Sequence, residues 1–325
     1  MSFRELKISP NEGISLIKFN KQSNQLFTIT WSGKLHIYDI ELFKEIKEFN
    51  FGSPLISGCW INSELILCGS IDGKLFLSNG IIVNAHQDAI SSIVFLKERN
   101  MLVTSSWDMD VKIWDMDDLK EPLNIFNFNQ KIMFMGVSGS KIVSYGNMNY
   151  VFIVDIDDEK YFERRIASLG KQLRTFEICP DGLKWAIGSI DGRIALEYFG
   201  DLKHQAQRFS FNCNKHENDE DKVIIYPINS LAFHPITGIL TSCDSFGRLF
   251  FWDIENKRKL AEIYATHDNS VSSIDYNSDG SLLAISYSYM FDKGPIQDEP
   301  HDLLLIYNPP KQFITPIHNH NEESH

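Results

Sequence analysis

The chain has 325 residues, is 43% hydrophobic and 12% aromatic, and carries a formal charge of −12 at pH 7. That composition supports a packed core and excludes wholesale disorder, while the acidic balance argues against direct nucleic-acid binding, which needs a net basic face. The length admits one large β domain or two smaller domains.

The N-terminal stretch Met1-Ser-Phe-Arg-Glu-Leu-Lys7 has neither the basic start nor the apolar run of a signal peptide, and no run reaches membrane-spanning length. A soluble intracellular protein with no membrane partner is expected. Cys59, Cys68, Cys179, Cys213 and Cys243 are scattered and form no C-x-x-C pair, so they read as small buried residues rather than zinc ligands or a disulfide framework.

Taken in order, the chain reads as short strands bounded by Gly, Asn, Asp and Ser, with no sustained helical period. Phe3–Ile8 is a lone strand. The first hairpin is Gln25–Trp31, a Ser32-Gly33 turn and Lys34–Asp39. The second is Leu65–Ser70, Ile71-Asp72-Gly73 and Lys74–Leu77, and the step from Gly33 to Gly73 is the period of about 40 expected of propeller blades. The third, Met101–Asp108 followed by Val111–Asp115, ends in Trp114-Asp115; Ala85-His86 stands upstream, with Asp88 at the acidic turn position. The fourth, Lys141–Gly146 and Tyr150–Asp155, turns through Asn147-Met-Asn149, where asparagine tolerates the left-handed conformation.

The fifth hairpin is built on Gly188-Ser-Ile-Asp-Gly-Arg193 and runs to Phe199, preceded by Leu173–Cys179 and followed by an alternating strand at Gln207–Cys213. His216–Lys222 reads as a solvated surface loop. The sixth repeat comprises Ile228–Phe233, Ile239–Asp244 and Arg248–Asp253, closing on Trp252-Asp253. The seventh starts at His267-Asp268 and offers only Val271–Tyr276, Ser281–Ser286 and Asp302–Tyr307 before Pro309-Pro310 stops the sheet.

Phe3–Ile8 supplies the missing strand. The predicted fold is therefore all-β, a seven-bladed WD-repeat propeller over residues 1–310 closed by the N-terminal strand, with 311–325 as a disordered polar tail. The tail's three histidines do not by themselves define a metal site.

No phosphate loop, H-E-x-x-H or G-x-S-x-G occurs, so no enzyme, cofactor or metal is predicted. His36, His86 and His267 fall at turn or core positions of the blades. What remains is a set of large or basic residues on hairpin turns, which a propeller projects onto one rim: Trp31, Trp107 and Arg193. Such residues are favoured interface anchors.

The run Ser189–Tyr198, then Arg208–Cys213, then Tyr226–Pro235, together with Tyr289-Met-Phe-Asp-Lys-Gly294 and Asp298–Asp302, resembles the spindle-checkpoint WD-repeat family, the third of the "budding uninhibited by benzimidazole" group. The resemblance covers essentially the whole propeller. It implies a non-enzymatic adaptor of the nucleus and kinetochore with a cytoplasmic pool, a monomeric propeller working inside a hetero-complex. Its partners would be GLEBS segments of a checkpoint kinase and a kinase-like checkpoint protein, anchored by Trp31, Trp107 and Arg174, the arginine pairing with glutamates.

The same resemblance implies reading of phosphothreonine in Met-Glu-Leu-Thr repeats of a kinetochore scaffold. Arg193 matches one phosphate-contacting arginine. Asn212 stands where a second basic residue is expected, which weakens that site by replacing a charge-assisted bond with a neutral one, and Lys215 lies close enough in sequence to compensate. The related mRNA-export WD proteins of the nuclear pore, and a generic scaffold such as a ubiquitin-ligase substrate receptor, are the alternatives.

Overall fold

A computed structural model describes residues 3–7, 12–213, 216–217, 223–264, 269–291, 294 and 301–316. Strand β1 (Phe3–Leu6) stands alone in sequence, and the chain then builds four-stranded antiparallel blades. Blade 1 is β2 (Ile14–Phe19), β3 (Gln25–Thr30), β4 (Lys34–Asp39) and β5 (Lys44–Asn50). Blade 2 is β6 (Leu55–Trp60), β7 (Ile66–Ser70), β8 (Lys74–Leu77) and β9 (Ile82–Asn84). Blade 3 is β10 (Ile90–Leu96), β11 (Met101–Ser106), β12 (Asp110–Asp115) and β13 (Asn124–Asn127). Blade 4 is β14 (Ile132–Ser138), β15 (Lys141–Gly146), β16 (Tyr150–Asp155) and β17 (Phe162–Ile166).

Blade 5 is β18 (Leu173–Ile178), β19 (Lys184–Ser189), β20 (Arg193–Tyr198) and β21 (Phe209–Asn212), with the short helix α1 (Leu202–Gln205) in its last connection. The stretch expected as a solvated surface loop at His216–Lys222 is entered and left through a two-residue ladder, β22 (His216–Glu217) against β23 (Val223–Ile224). Blade 6 is β24 (Ile228–Phe233), β25 (Leu240–Asp244), β26 (Arg248–Asp253) and β27 (Arg258–Tyr264). Blade 7 is β28 (Val271–Tyr276), β29 (Leu283–Tyr287), β30 (Leu303–Tyr307) and the N-terminal β1.

First strands touch the first strands of both neighbouring blades and so line the centre of the ring. The apolar core is divided accordingly into seven wedges, one at each junction between adjacent blades. At the closing junction Leu6, Leu304 and Ile306 from blade 7 meet Ile17, Phe19 and Tyr38 from blade 1. Strand β1 pairs antiparallel with β30, Phe3 opposite Tyr307 and Leu6 opposite Leu304, and the Phe3 and Tyr307 rings stack at 4.6 Å. Asp302 Oδ2 accepts from Glu12 N and Gly13 N, both at 2.8 Å, and Phe19 N donates to Asp275 Oδ2 at 2.7 Å. The ring is thus closed by a backbone ladder, an apolar wedge and carboxylates that cap backbone donors across the seam.

Blade 3 shows how a hairpin is tied to the loop before it. Trp114 Nε1 donates to Thr104 Oγ1 at 2.9 Å, His86 Nε2 meets the same hydroxyl at 2.8 Å, and His86 Nδ1 meets Asp108 Oδ2 at 2.9 Å. The acidic turn position expected at Asp88 belongs to Asp108, because the β11–β12 turn, not the residue beside His86, faces the imidazole; Asp88 pairs with Lys131 instead at 3.1 Å. Burial pushes the Asp108 carboxyl up, but hydrogen bonds from His86 and Gln87 N outweigh it and hold it at about 2. In blade 6 Trp252 Nε1 likewise donates to a hydroxyl of the second strand, Ser242, which contacts Cys213 Sγ at 3.3 Å.

The turns between second and third strands require a left-handed residue. Glycine supplies it at Gly73, where φ is 79° and an added Cβ would lie 2.2 Å from His86 O. Asn149 adopts φ 61° as the sequence leads one to expect, whereas blade 3 places Met109 there with φ 79°.

The tail does not begin at residue 311. Lys311–Ile314 forms helix α2, and Phe313 packs on Phe251 with ring centroids 5.5 Å apart, because two apolar side chains follow Pro310 and find the junction between blades 6 and 7. Residues 317–325 lie outside the described residues, as do Ile8, His267 and Asp268.

Candidate functional site

Every blade repeats one up-and-down order, so all turns between second and third strands emerge on one face of the ring. The first strands begin at that same end: Ile14 lies opposite Thr30 in blade 1 and Leu173 opposite Ser189 in blade 5. Trp31, Trp107, Arg174 and Arg193 therefore share the face, on blades 1, 3 and 5.

Trp31 follows β3, and its backbone N–H donates to Gly13 O at 2.9 Å. Its indole lies over Gly13, where a Cβ would come within 3.3 Å of Cδ1, and it remains 52% exposed. A large aromatic ring held down at its backbone yet half in solvent is a pre-formed contact surface. Trp107 is less exposed; Lys131 Nζ stands 5.3 Å above its ring, and the buried indole Nε1 has no acceptor among the described residues.

Arg174 owes its placement to a β-bulge. Each first strand slips register at its second residue, and in blade 5 the slip falls between Leu173 and Thr175, leaving Arg174 unpaired in the ladder. Bulges re-aim side chains, and here they turn the second residues inward: Ser15, Ile56, Ser91, Arg174, Asn229 and Ser272 all line the central channel, a cavity of about 480 Å³. Arg174 is the one charged residue among those six, so it gives the channel mouth its cationic point.

Deeper in the channel Lys18 stands 3.7 Å from Asp275 and 4.0 Å from Glu177. Burial alone would depress the Lys18 ammonium, but Glu177 and Asp275 together raise it above the ordinary lysine range; burial drives the Glu177 carboxyl upward. This ion cluster joins blades 1, 5 and 7.

Arg193 opens β20 directly opposite Asn212 of β21, so these two are a cross-strand pair. Arg193 Nη2 donates to Ser210 Oγ at 2.7 Å, and its Nε is buried without an acceptor among the described residues. The first position of the third strand holds a cation in three other blades, and each is neutralised. Lys34 lies 2.7 Å from Glu12, Lys74 2.6 Å from Asp72, and Arg248 2.7 Å from Asp244. Among the described residues Arg193 makes no ion pair. Glu197, the nearest carboxylate in sequence on its strand, is buried and accepts from Ser168 N at 2.7 Å instead. Lys215 lies outside the described residues.

The geometry thus brings Arg193 and Asn212 together and places the two tryptophans and Arg174 on the same face. Of the bulge positions sequence reasoning singled out only Arg174, and it missed the Lys18–Glu177–Asp275 cluster. Bulges leave no residue signature, but the contrast between Arg193 and Lys74, whose turns both read Ile-Asp-Gly, was available.

A hydroxyl-bridged tryptophan and histidine in blade 3 is the internal tie of a WD repeat, and a family model described as "WD domain, G-beta repeat" matches residues 80–115 and 258–290. The protein is a WD-repeat propeller, a scaffold and not an enzyme. Over 317 residues it is 31% identical to the mitotic checkpoint protein bub3 of Dictyostelium discoideum, an alignment covering 94% of this chain and 95% of that protein. The chain belongs to the Bub3 family of spindle-checkpoint WD-repeat proteins. It is also 28% identical over 307 residues to the Poly(A)+ RNA export protein of Schizosaccharomyces pombe, covering 89% of this chain and 85% of that one. Among solved structures U3-55K superposes with a TM-score of 0.80 at 14% identity, covering 94% of this chain and 98% of that one, a likeness of fold.

Proposed function

We propose that this protein is a checkpoint adaptor that holds GLEBS segments of a checkpoint kinase and a kinase-like partner across the turn-bearing face, and docks them on a phosphorylated kinetochore scaffold during mitosis. Trp31 and Trp107 supply the aromatic anchors, and Arg174 at the channel mouth pairs with the segment's glutamates. Arg193, with Asn212 beside it, takes the phosphothreonine of Met-Glu-Leu-Thr repeats, and Lys215 adds charge. The protein acts as one propeller per complex, at kinetochores and in the nucleus, with a cytoplasmic reserve.

The observation that carries this reading is that Arg193 makes no ion pair among the described residues. A guanidinium whose buried Nε lacks an acceptor among the described residues, on a position where other blades build an internal ion pair, can take an external anion. Phosphate brings about −1.5 to −2 charges and three acceptor oxygens to such a group.

The test is titration of the full chain with a Met-Glu-Leu-Thr peptide, phosphorylated and plain, at physiological salt. Wild type should prefer the phosphopeptide, and Arg193→Ala should remove that preference while leaving GLEBS-peptide affinity unchanged. Equal binding of the two peptides by wild type would end the phosphate reading and leave the GLEBS role standing. The export relative supports a second reading, in which the GLEBS donor is a nucleoporin; affinity capture of a nucleoporin and no checkpoint kinase from mitotic cells would select it.

A further inference from the structure

On the third and fourth strands of blade 1, His36, Glu45 and Glu48 bring three ligand atoms within 4.8 Å of one another. Their meeting is a product of a bulge. Residues three apart on a regular strand face opposite sides, but β5 slips register between the partners of Ile37 and Tyr38, so that both Glu48 and Glu45 face the side of β4 occupied by His36. His36 Nδ1 lies 3.3 Å from Glu45 Oε1 and 3.7 Å from Glu48 Oε2. The opposite ring nitrogen, Nε2, lies 2.8 Å from Glu12 Oε2.

A neutral imidazole has one N–H. If Nε2 spends it on the close Glu12 carboxylate, Nδ1 turns a lone pair, from a residue that is 98% buried, toward two more carboxylates. That is the arrangement of a metal-binding histidine whose tautomer is fixed by an outer carboxylate. Charge points the same way: of the three carboxylates around His36, Lys34 pairs with Glu12 and Glu48 only, so beside a neutral imidazole two negative charges are left in excess for a divalent cation to cancel. An imidazole nitrogen beside two carboxylates is a donor set that zinc takes, and the 3.3 and 3.7 Å separations from Nδ1 lie near the about 3.3 Å between ligand atoms of a tetrahedral zinc bonded at about 2.0–2.1 Å.

We propose that His36, Glu45 and Glu48 form a zinc site, with Glu12 orienting the imidazole and the fourth position open to water. Glu12 N is itself held by Asp302 across the junction of blades 7 and 1, so the ion locks the seam at which the ring closes.

The probe is Zn²⁺ alone, competed against a chromophoric chelator, with the full chain carrying His318→Ala, His320→Ala and His325→Ala to remove the tail histidines. One zinc per chain is expected, and cobalt in its place should give the visible bands of a tetrahedral ion. Glu45→Gln and Glu48→Gln, both at solvent-accessible positions and harmless to folding, should each weaken binding at least tenfold, and Glu12→Gln by about 10–100-fold. A hundredfold excess of zinc over its Kd should raise the melting midpoint by about 4 °C. Absence of zinc binding once the tail histidines are gone, or affinity unchanged by Glu45→Gln and Glu48→Gln, would overturn the proposal and make the ring an imidazolium bridging two carboxylates.

Discussion

Leu6→Ala is the sharpest probe of ring closure, because it changes one side chain of the one strand that comes from the far end of the sequence. Leu6 is 1% exposed, packs with Leu304, Ile306, Ile17 and Phe19, and lies opposite Leu304 in the ladder. Truncating a buried leucine to alanine costs about 3 kcal/mol, lost transfer energy and a residual cavity together. For 325 residues at about 2.1 cal/mol/K each, the unfolding entropy is about 0.7 kcal/mol/K, so the midpoint should fall by about 4 °C. Glu5→Ala, one residue away and exposed, is the control and should stay within about 0.5 kcal/mol of wild type. Circular dichroism melts, checked by equilibrium urea unfolding, read both. A Leu6→Ala midpoint equal to that of Glu5→Ala would mean that β1 is not part of the cooperative ring.

Asp108→Asn tests the blade 3 tie: its carboxyl is held at about 2 against an ordinary 3.8, so the stability it adds, about 2 kcal/mol, is fully present above pH 3.8 and disappears as pH falls through about 2. Urea midpoints of wild type and variant should therefore converge on acidification; a gap that stays constant from pH 6 to pH 2 refutes the carboxylate role. Met109→Gly should stabilise by about 0.5–1 kcal/mol, since relief of a left-handed methionine outweighs the entropy of glycine in the unfolded chain, and a lower midpoint would show that the side chain's packing matters more. Arg174→Glu should weaken an acidic GLEBS peptide more than tenfold with an unchanged melt, and Asn212→Lys should enlarge the preference for phosphopeptide over plain peptide. Equal calorimetric affinities for variant and wild type would remove either residue from its assigned role.

The blades were legible because a hairpin writes itself locally. Gly33, Gly73, Gly192 and Gly247 mark turns with positive φ, and alternating apolar residues on either side mark the strands. Closure was legible by counting: blade 7 offers three strands before Pro309, and Phe3–Leu6 lacked a neighbour. Features set by long-range geometry were not legible. Whether Asp88 or Asp108 faces His86 depends on how one turn lies over another. Helix α2 was hidden by the polar residues that follow it, although Phe313 and Ile314 are apolar. The carboxylates Glu45 and Glu48 carry no metal-like spacing, since only a bulge puts residues three apart on one face of a strand.

The two arginines that open third strands show how the position of one carboxylate decides whether such an arginine is paired inside the fold. Arg193 follows Ser-Ile-Asp-Gly and Arg248 follows Asp-Ser-Phe-Gly, and the two occupy the same register position in adjacent blades. Arg248 is buried between the rings of Tyr226, Phe246 and Phe250, with Nε 2.8 Å from Asp244, a residue that is itself fully buried. Its charge is spent inside the fold, and a buried pair of that kind is costly to break. Blade 5 has Ser189 where blade 6 has Asp244, and Ser189 gives its hydroxyl to Asp191, so the turn's only carboxylate is engaged away from Arg193. Moving one carboxylate therefore leaves Arg193, among the described residues, without the internal ion pair that Arg248 has. By the same reasoning Ser189→Asp should pull Arg193 into an internal pair, leaving the melting midpoint at or above that of wild type while abolishing phosphopeptide preference. Retention of that preference would place the phosphate elsewhere on the face.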